Sequence, residues 1–246
     1  MKHGQIYVGI GGWTFAPWRG TFYPGDLTQK RELEFASRAL TSIEVNGTYY
    51  STFKPPTFAK WRDETPDGFV LSLKASRYCT NRKVLASAGE AVERFIGQGI
   101  HELGDRLGPI NWQFMATKPF DAEDIEGFLK LLPHDVQGLP LRHALEVRHA
   151  SFDDPKFHDL ARRYKVAIVF ADSEEFPKID EPTSDFTYAR LMCSQDDVPS
   201  GYTPASLGHW AKQAKTWAKG GDAFVYFISG AKVRNPAAAQ ALIEKL

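Results

Sequence analysis

Eight short runs rich in β-branched and aromatic residues recur along the 246-residue chain. These predicted strands are IYVGI 6–10, SIEVN 42–46, FVLSLK 69–74, PINWQF 109–114, HALEVRH 143–149, VAIVFAD 166–172, FTYARLM 186–192 and AFVYFIS 223–229. Helical patterns follow most of them, at about 29–40, 57–64, 88–103, 121–131, 154–164, 204–218 and 235–246. Strands that alternate with helices predict a parallel sheet.

A parallel sheet of this size in a chain of this length is typical of a closed (β/α)₈ TIM-type barrel, which commonly takes about 250 residues. We therefore predict an α/β fold, a single barrel domain spanning residues 1–246. We expect it to be irregular around the sixth strand, because SEEFPKIDEPTSD at 173–185 has a loop pattern where a helix should follow. A doubly wound open parallel sheet is the alternative.

The amino-acid composition limits the classes of partner that we expect this chain to bind. Lys and Arg number 30, and Asp and Glu also number 30, so the net charge is zero. This balance argues against general electrostatic capture of nucleic acid or of an anionic membrane. No run is long and apolar enough for a membrane helix, and the two distant cysteines, Cys79 and Cys193, fit a reduced cytoplasmic protein.

Polar side chains alternate near the ends of several predicted strands. Residues two apart point to the same side of a strand, so each polar pair should face one way. The pairs are Glu44 with Asn46, Ser72 with Lys74, Asn111 with Gln113, Glu146 with Arg148, Phe170 with Asp172, and Tyr188 with Arg190. We expect them to face the barrel interior at the C-terminal strand ends, where barrel enzymes place their active sites.

Two interpretations of this polar set stay open. A structural ion network would give the same pattern, because three carboxylates and three cations balance: Glu44, Glu146, Asp172, Lys74, Arg148 and Arg190. Desolvation offsets much of the attraction in buried ion pairs, which favours a ligand site instead. The histidines lack zinc-ligand spacing, so we predict no metal and no cofactor, with a carboxylate-held Mg²⁺ left open.

Several motifs follow one another in a fixed order through nearly the whole chain. They are GGWTFAPWRGTFYP 11–24, EVNGTYY 44–50, WRDETPDGFVLSLK 61–74, LGPINWQF 107–114, EVRHASF 146–152, Asp172, and Arg190 within YARLM. In this order they resemble the domain-of-unknown-function family 72, the YecE-like proteins. The resemblance implies a TIM-type barrel with a pocket at the C-terminal strand ends, and it implies no established reaction.

The sequence departs from that family's pattern at three strand ends. Asn81 and Met192 stand where the family tends to have histidines, and Ile228 and Ser229 replace a pair of asparagines. A mechanism that depends on either histidine is therefore in doubt for this chain.

The sequence thus predicts a barrel that binds, and as an enzyme transforms, a small polar or anionic molecule bearing a phosphate or carboxylate. The predicted catalytic residues are Glu44 or Glu146 as general base and Lys74 as acid, electrostatic stabiliser or Schiff-base nucleophile. The predicted substrate-binding residues are Asn46, Tyr49, Gln113, Arg148, Asp172 and Arg190.

Two other functions compete with this hypothesis. One is a barrel that binds a metabolite without catalysis. The other is a nucleic-acid enzyme, which rests on fold analogy with barrel endonucleases and is disfavoured by the neutral charge. The oligomeric state is not predicted.

Overall fold

A computed structural model describes residues 3–246 and contains a sheet of nine parallel strands surrounded by helices. A separate two-stranded antiparallel hairpin, Asp135–Val136 with Leu139–Pro140, precedes the strand at His143–Glu146. The strands are β1 Ile6–Gly11, β2 Ser42–Val45, β3 Val70–Lys74, β4 Leu107–Gln113, β5 Asp135–Val136, β6 Leu139–Pro140, β7 His143–Glu146, β8 Ala167–Ile168, β9 Phe170–Asp172, β10 Phe186–Leu191 and β11 Asp222–Phe227.

The sheet returns on itself through the sixth predicted strand. Its order is β8-β7-β4-β3-β2-β1-β11-β10-β9, and Val169 alone separates the two outermost strands, β8 and β9. β8 pairs with β7, β9 pairs with β10, and the Val169 N–H donates to the carbonyl of Leu145 at 3.0 Å. One stretch of chain therefore joins both edges of the sheet. The predicted TIM-type barrel is confirmed, with its irregularity at the expected place.

Helices pack around the outside of the barrel. The α-helices are α1 Glu32–Ala39, α2 Gly47–Tyr50, α3 Pro55–Glu64, α4 Arg77–Thr80, α5 Gly89–Ile96, α6 Ala122–Leu129, α7 Pro155–Arg163, α8 Pro204–Trp217 and α9 Asn235–Ile243. Short 3₁₀ segments lie at Ala16–Trp18, Gln29–Arg31, Leu85–Ser87, Ile100–Arg106, Ala150–Phe152 and Lys232–Arg234. No helix within residues 3–246 combines the length and apolar character that crossing a bilayer requires.

The barrel interior is divided into an aromatic lower half and a polar upper half. Tyr7 stacks on Phe224 with ring centroids 4.8 Å apart, and Phe186 and Tyr226 lie in the same buried cluster. Tyr7, Phe186 and Phe224 come from the N-terminal parts and middle of their strands, whereas Tyr226 is in register with Arg190 at the boundary of the polar half. Because the aromatic rings fill the lower interior, a polar cluster at the C-terminal strand ends is sealed from below.

The expectation that Phe170 and Asp172 face the barrel interior is wrong. Phe170 packs against Trp210 and Trp217 of α8, at centroid distances of 5.8 and 5.2 Å. Asp172 pairs in register with Leu191, which belongs to the core beneath the helices. Residues of both parities are apolar in this strand, so alternation carried no information about which side faces inward.

Candidate functional site

Five strands, β2, β3, β4, β7 and β10, contribute charged and polar side chains to one cluster inside the barrel. Arg190 of β10 is 2% exposed, and its Nη1 lies 2.7 Å from both carboxylate oxygens of Glu146 on β7. Its Nη2 donates to Oε1 of Glu44 on β2 at 3.1 Å. One guanidinium therefore bridges two carboxylates that are themselves 0% and 1% exposed.

Further donors bond both carboxylates. The Tyr188 hydroxyl donates to Oε2 of Glu44 at 2.6 Å, and Nδ2 of Asn111 donates to Oε2 of Glu146 at 3.0 Å. Arg148, just after β7, donates to Oε1 of Glu146 from Nε at 2.9 Å and from Nη2 at 2.7 Å. The carboxylates are thus fixed in place by donors on every side.

These neighbours decide the charge state of Glu146. Burial alone would raise the pKa of its carboxyl, but Arg190, Arg148 and Lys74 outweigh burial and lower that pKa to about 2. Burial opposes the charge on Arg190, yet the two carboxylates raise the pKa of its guanidinium above the ordinary value. Glu146 and Arg190 are therefore both ionised at neutral pH.

Lys74 differs from the other charged groups in the cluster. It ends β3, is 8% exposed, and its Nζ lies 4.7 Å from the ring centroid of Tyr49. Burial and the nearby Arg190 lower the pKa of its amine to about 8, against the opposing charges of Glu146 and Glu44. Among the hydrogen bonds and salt bridges of residues 3–246, none involves this ammonium group.

The cluster carries one more positive charge than negative charge. Three cations, Lys74, Arg148 and Arg190, face two carboxylates, Glu44 and Glu146. Two sealed atoms, Nε of Arg190 and Oδ1 of Asn111, lack hydrogen-bond partners among residues 3–246. Nη1 of Arg148 likewise donates to no group in that part of the chain. The two sealed atoms are closed to a ligand, but the unused Nη1 donor of Arg148, in a cluster with excess positive charge, suits an anion.

A cavity of about 570 Å³ opens beside Arg148 at the mouth of the barrel. The Arg148 guanidinium lies 4.4 Å from the ring centroid of Phe176, which belongs to the loop after β9. Met192 and Ser229 line the cavity wall, and the exposed residues Glu174 and Glu175 line its rim. The entrance is therefore acidic, whereas the side of the cavity formed by Arg148 is cationic.

Most of the predicted site residues lie together, and their roles stay predictions. The structure gathers Glu44, Lys74, Gln113, Glu146, Arg148 and Arg190, with Oε1 of Gln113 accepting from Arg148 Nη2 at 2.8 Å. Tyr49 covers Lys74, and its hydroxyl lies 3.2 Å from Nδ2 of Asn81.

Two predicted residues, Asn46 and Asp172, lie apart from the hydrogen-bonded cluster. A Cβ at Gly11 would lie 2.8 Å from Nδ2 of Asn46, so a glycine leaves room for that amide. Asp172 instead pairs with Lys178 at 2.9 Å and lines another cavity together with Tyr202.

The sequence analysis placed Tyr188 and Asn111 on the inner face without assigning them a role in the site, and it missed Phe176. Tyr188 and Asn111 share parity with Arg190 and Gln113, so alternation contained a signal for them. Phe176 lies in an irregular loop, where no periodicity predicts the direction of a side chain. Within residues 3–246, no three or more His, Cys, Asp or Glu side chains are grouped so that they could hold a metal ion.

Comparison with known proteins identifies relatives by sequence. The family model described as "Protein of unknown function DUF72" matches residues 7–246. UPF0759 protein YecE of Escherichia coli strain K12 is 27% identical over 149 residues, which are 60% of this chain and 50% of that protein. The chain thus spans about half the length of the curated relatives it matches.

Solved structures share the fold. A DUF72 family protein of Thermotoga maritima MSB8 matches over 98% of both chains with a TM-score of 0.76 and 23% identity. Another, from Enterococcus faecalis V583, matches over 100% of both chains with a TM-score of 0.75 and 16% identity. SacUVDE covers 99% of this chain and 100% of its own with a TM-score of 0.60 and 10% identity. Because the family model spans residues 7–246, this chain belongs to the DUF72 family of proteins of unknown function.

Proposed function

We propose that this barrel binds a small molecule bearing a carboxylate or phosphate and uses Lys74 for acid–base chemistry on it. The observation that carries the proposal is the buried ammonium of Lys74, which has no carboxylate or hydrogen-bond partner among residues 3–246. A buried charge without a partner costs stability, so a ligand that supplies the missing negative charge is favoured. The free Nη1 of Arg148 provides a second contact for that anion.

The two carboxylates hold the arginines, and Lys74 carries the proton transfer. A general base works best when its pKa lies near the operating pH. Glu146 accepts hydrogen bonds from three side chains and has a pKa of about 2, which suits a fixed counterion. Lys74, with a pKa of about 8, can gain and lose a proton near neutral pH. We therefore assign Glu44 and Glu146 to positioning, which differs from the sequence-based hypothesis.

The rim of the cavity favours a small ligand over a nucleic acid. Glu174 and Glu175 would repel a long polyanion, while a single anionic group can pass them to reach Arg148. The zero net charge of the chain points the same way. SacUVDE shares the fold, but at 10% identity its likeness concerns the fold alone and says nothing about the ligand of this chain.

Thermal unfolding in the presence of small anions tests this function. Inorganic phosphate, sulfate and pyruvate would be titrated against wild type, Arg148→Ala and a matched control, Arg162→Ala. Arg162 also pairs with carboxylates, but on the surface at Asp159 and Glu181. Arg148 is preferred to Arg190 because Glu146 keeps its bond to Arg190 when Arg148 is removed.

An anion at one hundred times its dissociation constant should stabilise wild type and Arg162→Ala by about 2.7 kcal/mol. The Arg148→Ala protein should lose most of that stabilisation while its unfolding without ligand stays cooperative. Equal stabilisation of all three proteins, or none in wild type across the anions, would contradict the proposal. Binding without turnover of any bound compound would support the non-catalytic alternative.

A further inference from the structure

We propose that Lys74 forms a Schiff base with a small aldehyde or ketone that also carries a carboxylate or phosphate. This inference deepens the proposed function and rests on it for the anion site. It names the substrate class as a carbonyl compound whose anionic group contacts Arg148 and whose carbonyl carbon reaches Nζ of Lys74.

Lys74 is distinguished by comparison with the other buried cations of residues 3–246. Arg106 pairs with two carboxylates, Lys118 pairs with Asp124, and Arg190 pairs with Glu44 and Glu146. Only Lys74 in this group has no such partner. A lysine held for structure would be expected to have a carboxylate, whereas a nucleophilic lysine is activated by burial or by a neighbouring cation, as Lys74 is by Arg190.

The position of Lys74 leaves its amine open to a ligand. Although the side chain is only 8% exposed, Nζ is not among the sealed polar atoms that lack partners, so it keeps contact with solvent. The ring of Tyr49 covers the amine on one side, 4.7 Å away. Burial and the charge of Arg190 also lower the pKa of the amine to about 8, so a large fraction is neutral near that pH.

The covalent step balances without an oxidant or reductant. The lone pair of the neutral amine attacks the carbonyl carbon, and a C–N bond forms as the C=O π bond breaks. The nitrogen then gives up one proton and the carbonyl oxygen takes up one, which yields a neutral carbinolamine. The resulting carbinolamine loses its hydroxyl group as water, with one further proton, and leaves a protonated imine. Hydrolysis reverses both steps and returns the free lysine.

Reductive trapping tests the proposal. Wild type, Lys74→Arg and a control, Lys60→Arg, would be treated with borohydride at about pH 8 in the presence of one carbonyl compound. The compounds would be pyruvate, glyceraldehyde 3-phosphate and uncharged propanal. Lys60 is an exposed lysine on α3 that pairs with Glu64, and Lys74→Arg keeps the positive charge but forms no imine. Intact mass and peptide mapping would locate the label.

We expect one adduct on Lys74 in wild type and in Lys60→Arg, and loss of that adduct in Lys74→Arg. Its mass should equal that of the carbonyl compound plus two hydrogens, less one water. Labelling by pyruvate would indicate a carboxylate, and labelling by glyceraldehyde 3-phosphate a phosphate, with propanal several-fold weaker in either case. Label spread evenly over surface lysines, or unchanged in Lys74→Arg, would overturn the Schiff base.

The two proposals fail separately. If phosphate or sulfate stabilises wild type but not Arg148→Ala, while neither charged carbonyl compound labels Lys74, the anion site stands and the Schiff base is wrong. If Lys74 is labelled while no anion stabilises the protein, the anion-binding function is wrong and the deepened substrate class fails with it. Thermal unfolding of Lys74→Arg without ligand checks that the variant is folded.

Discussion

Protonation of Glu146 should destabilise the barrel at acid pH. Its carboxyl has a pKa of about 2 in the folded protein, against an ordinary value of 4.5 that applies in the unfolded chain. At about 1.36 kcal/mol for each pKa unit, this difference corresponds to about 3 kcal/mol of stability. The side chain is 1% exposed, so solvent screening does not reduce the figure.

The sign follows from which state binds the proton more tightly. The unfolded chain takes up the proton at a higher pH than the folded protein does, so acid favours unfolding. The stabilisation is therefore present in full above about pH 5, and it is lost as the pH falls from 4.5 through 2. Nothing else about the fold needs to change for this loss to occur.

Urea unfolding between neutral pH and about pH 2 measures the effect in wild type, Glu146→Gln and Asp159→Asn. Asp159 is an exposed helical carboxylate paired with Arg162 and serves as the matched control. Wild type and Asp159→Asn should lose about 3 kcal/mol more than Glu146→Gln over this range. Glu146→Gln should itself cost about 3–5 kcal/mol at neutral pH, because it removes a counterion from Arg190.

The outcome distinguishes a counterion from a proton acceptor. If wild type and Glu146→Gln lose stability in parallel, the carboxyl does not have a depressed pKa and our reasoning is refuted. Titration of the Glu146 carboxyl carbon by NMR in wild type gives an independent reading if the variant does not fold. A midpoint between pH 5 and 7 would return Glu146 to the role of general base.

Three further predictions concern other charged groups. Burial lowers the pKa of Lys74 from 10.5 to about 8, so the unfolded chain binds more protons than the folded protein between these pH values. In urea unfolding, the free energy of unfolding of wild type should therefore rise by about 3 kcal/mol relative to that of Lys74→Met as the pH increases through this range. Burial lowers the pKa of His143 to about 4, and Trp112 Nε1 donates a hydrogen bond to its Nδ1 at 3.1 Å. Nitrogen NMR should therefore find the neutral Nε2–H form of the imidazole down to about pH 5, and a titration midpoint near 6.5 would contradict this. Replacing Glu174 and Glu175 together by glutamine should strengthen anion binding several-fold at low salt, a gain that calorimetry should find abolished at high salt. An unchanged affinity would show that the rim does not influence the ligand.

The fold was readable from the sequence because strand and helix patterns alternate so regularly. Each predicted strand corresponds to strand structure at nearly the same residues, and SEEFPKIDEPTSD is indeed a loop. The single-turn helices α2 and α4, which follow β2 and β3 at once, were not predicted. Four residues are too few for a helical period to be recognised, and their helical form depends on contacts with the barrel.

The inward-facing side of a strand could be predicted only where alternate residues are polar and the residues between them are apolar. In β2, β4, β7 and β10 this contrast placed Glu44, Asn111, Glu146 and Arg190 on the inner side. In VAIVFAD the contrast is absent, and Asp172 alone suggested an inward direction. The residues of this strand that face the barrel interior are instead Ala167 and Val169, and their small side chains pack beside the aromatic rings there.

That single misplaced carboxylate changes the electrostatic interpretation of the whole site. With Asp172 included, three carboxylates balance three cations, and a self-neutralising network accounts for every charge. With Asp172 paired to Lys178 outside the cluster, a positive charge is left over. It lies on Lys74, which among the buried cations of residues 3–246 is the one without a carboxylate partner.

The direction of the Asp172 side chain therefore favours the interpretation of the cluster as a ligand site over its interpretation as a structural ion network. Three positions at which the sequence departs from the family's pattern lie near Lys74 or Arg148. Asn81 bonds to Tyr49 above Lys74, and Met192 and Ser229 line the cavity beside Arg148. A common charged base with an altered rim is what we expect of a barrel that binds an anionic group in a shared way and contacts the rest of its ligand differently.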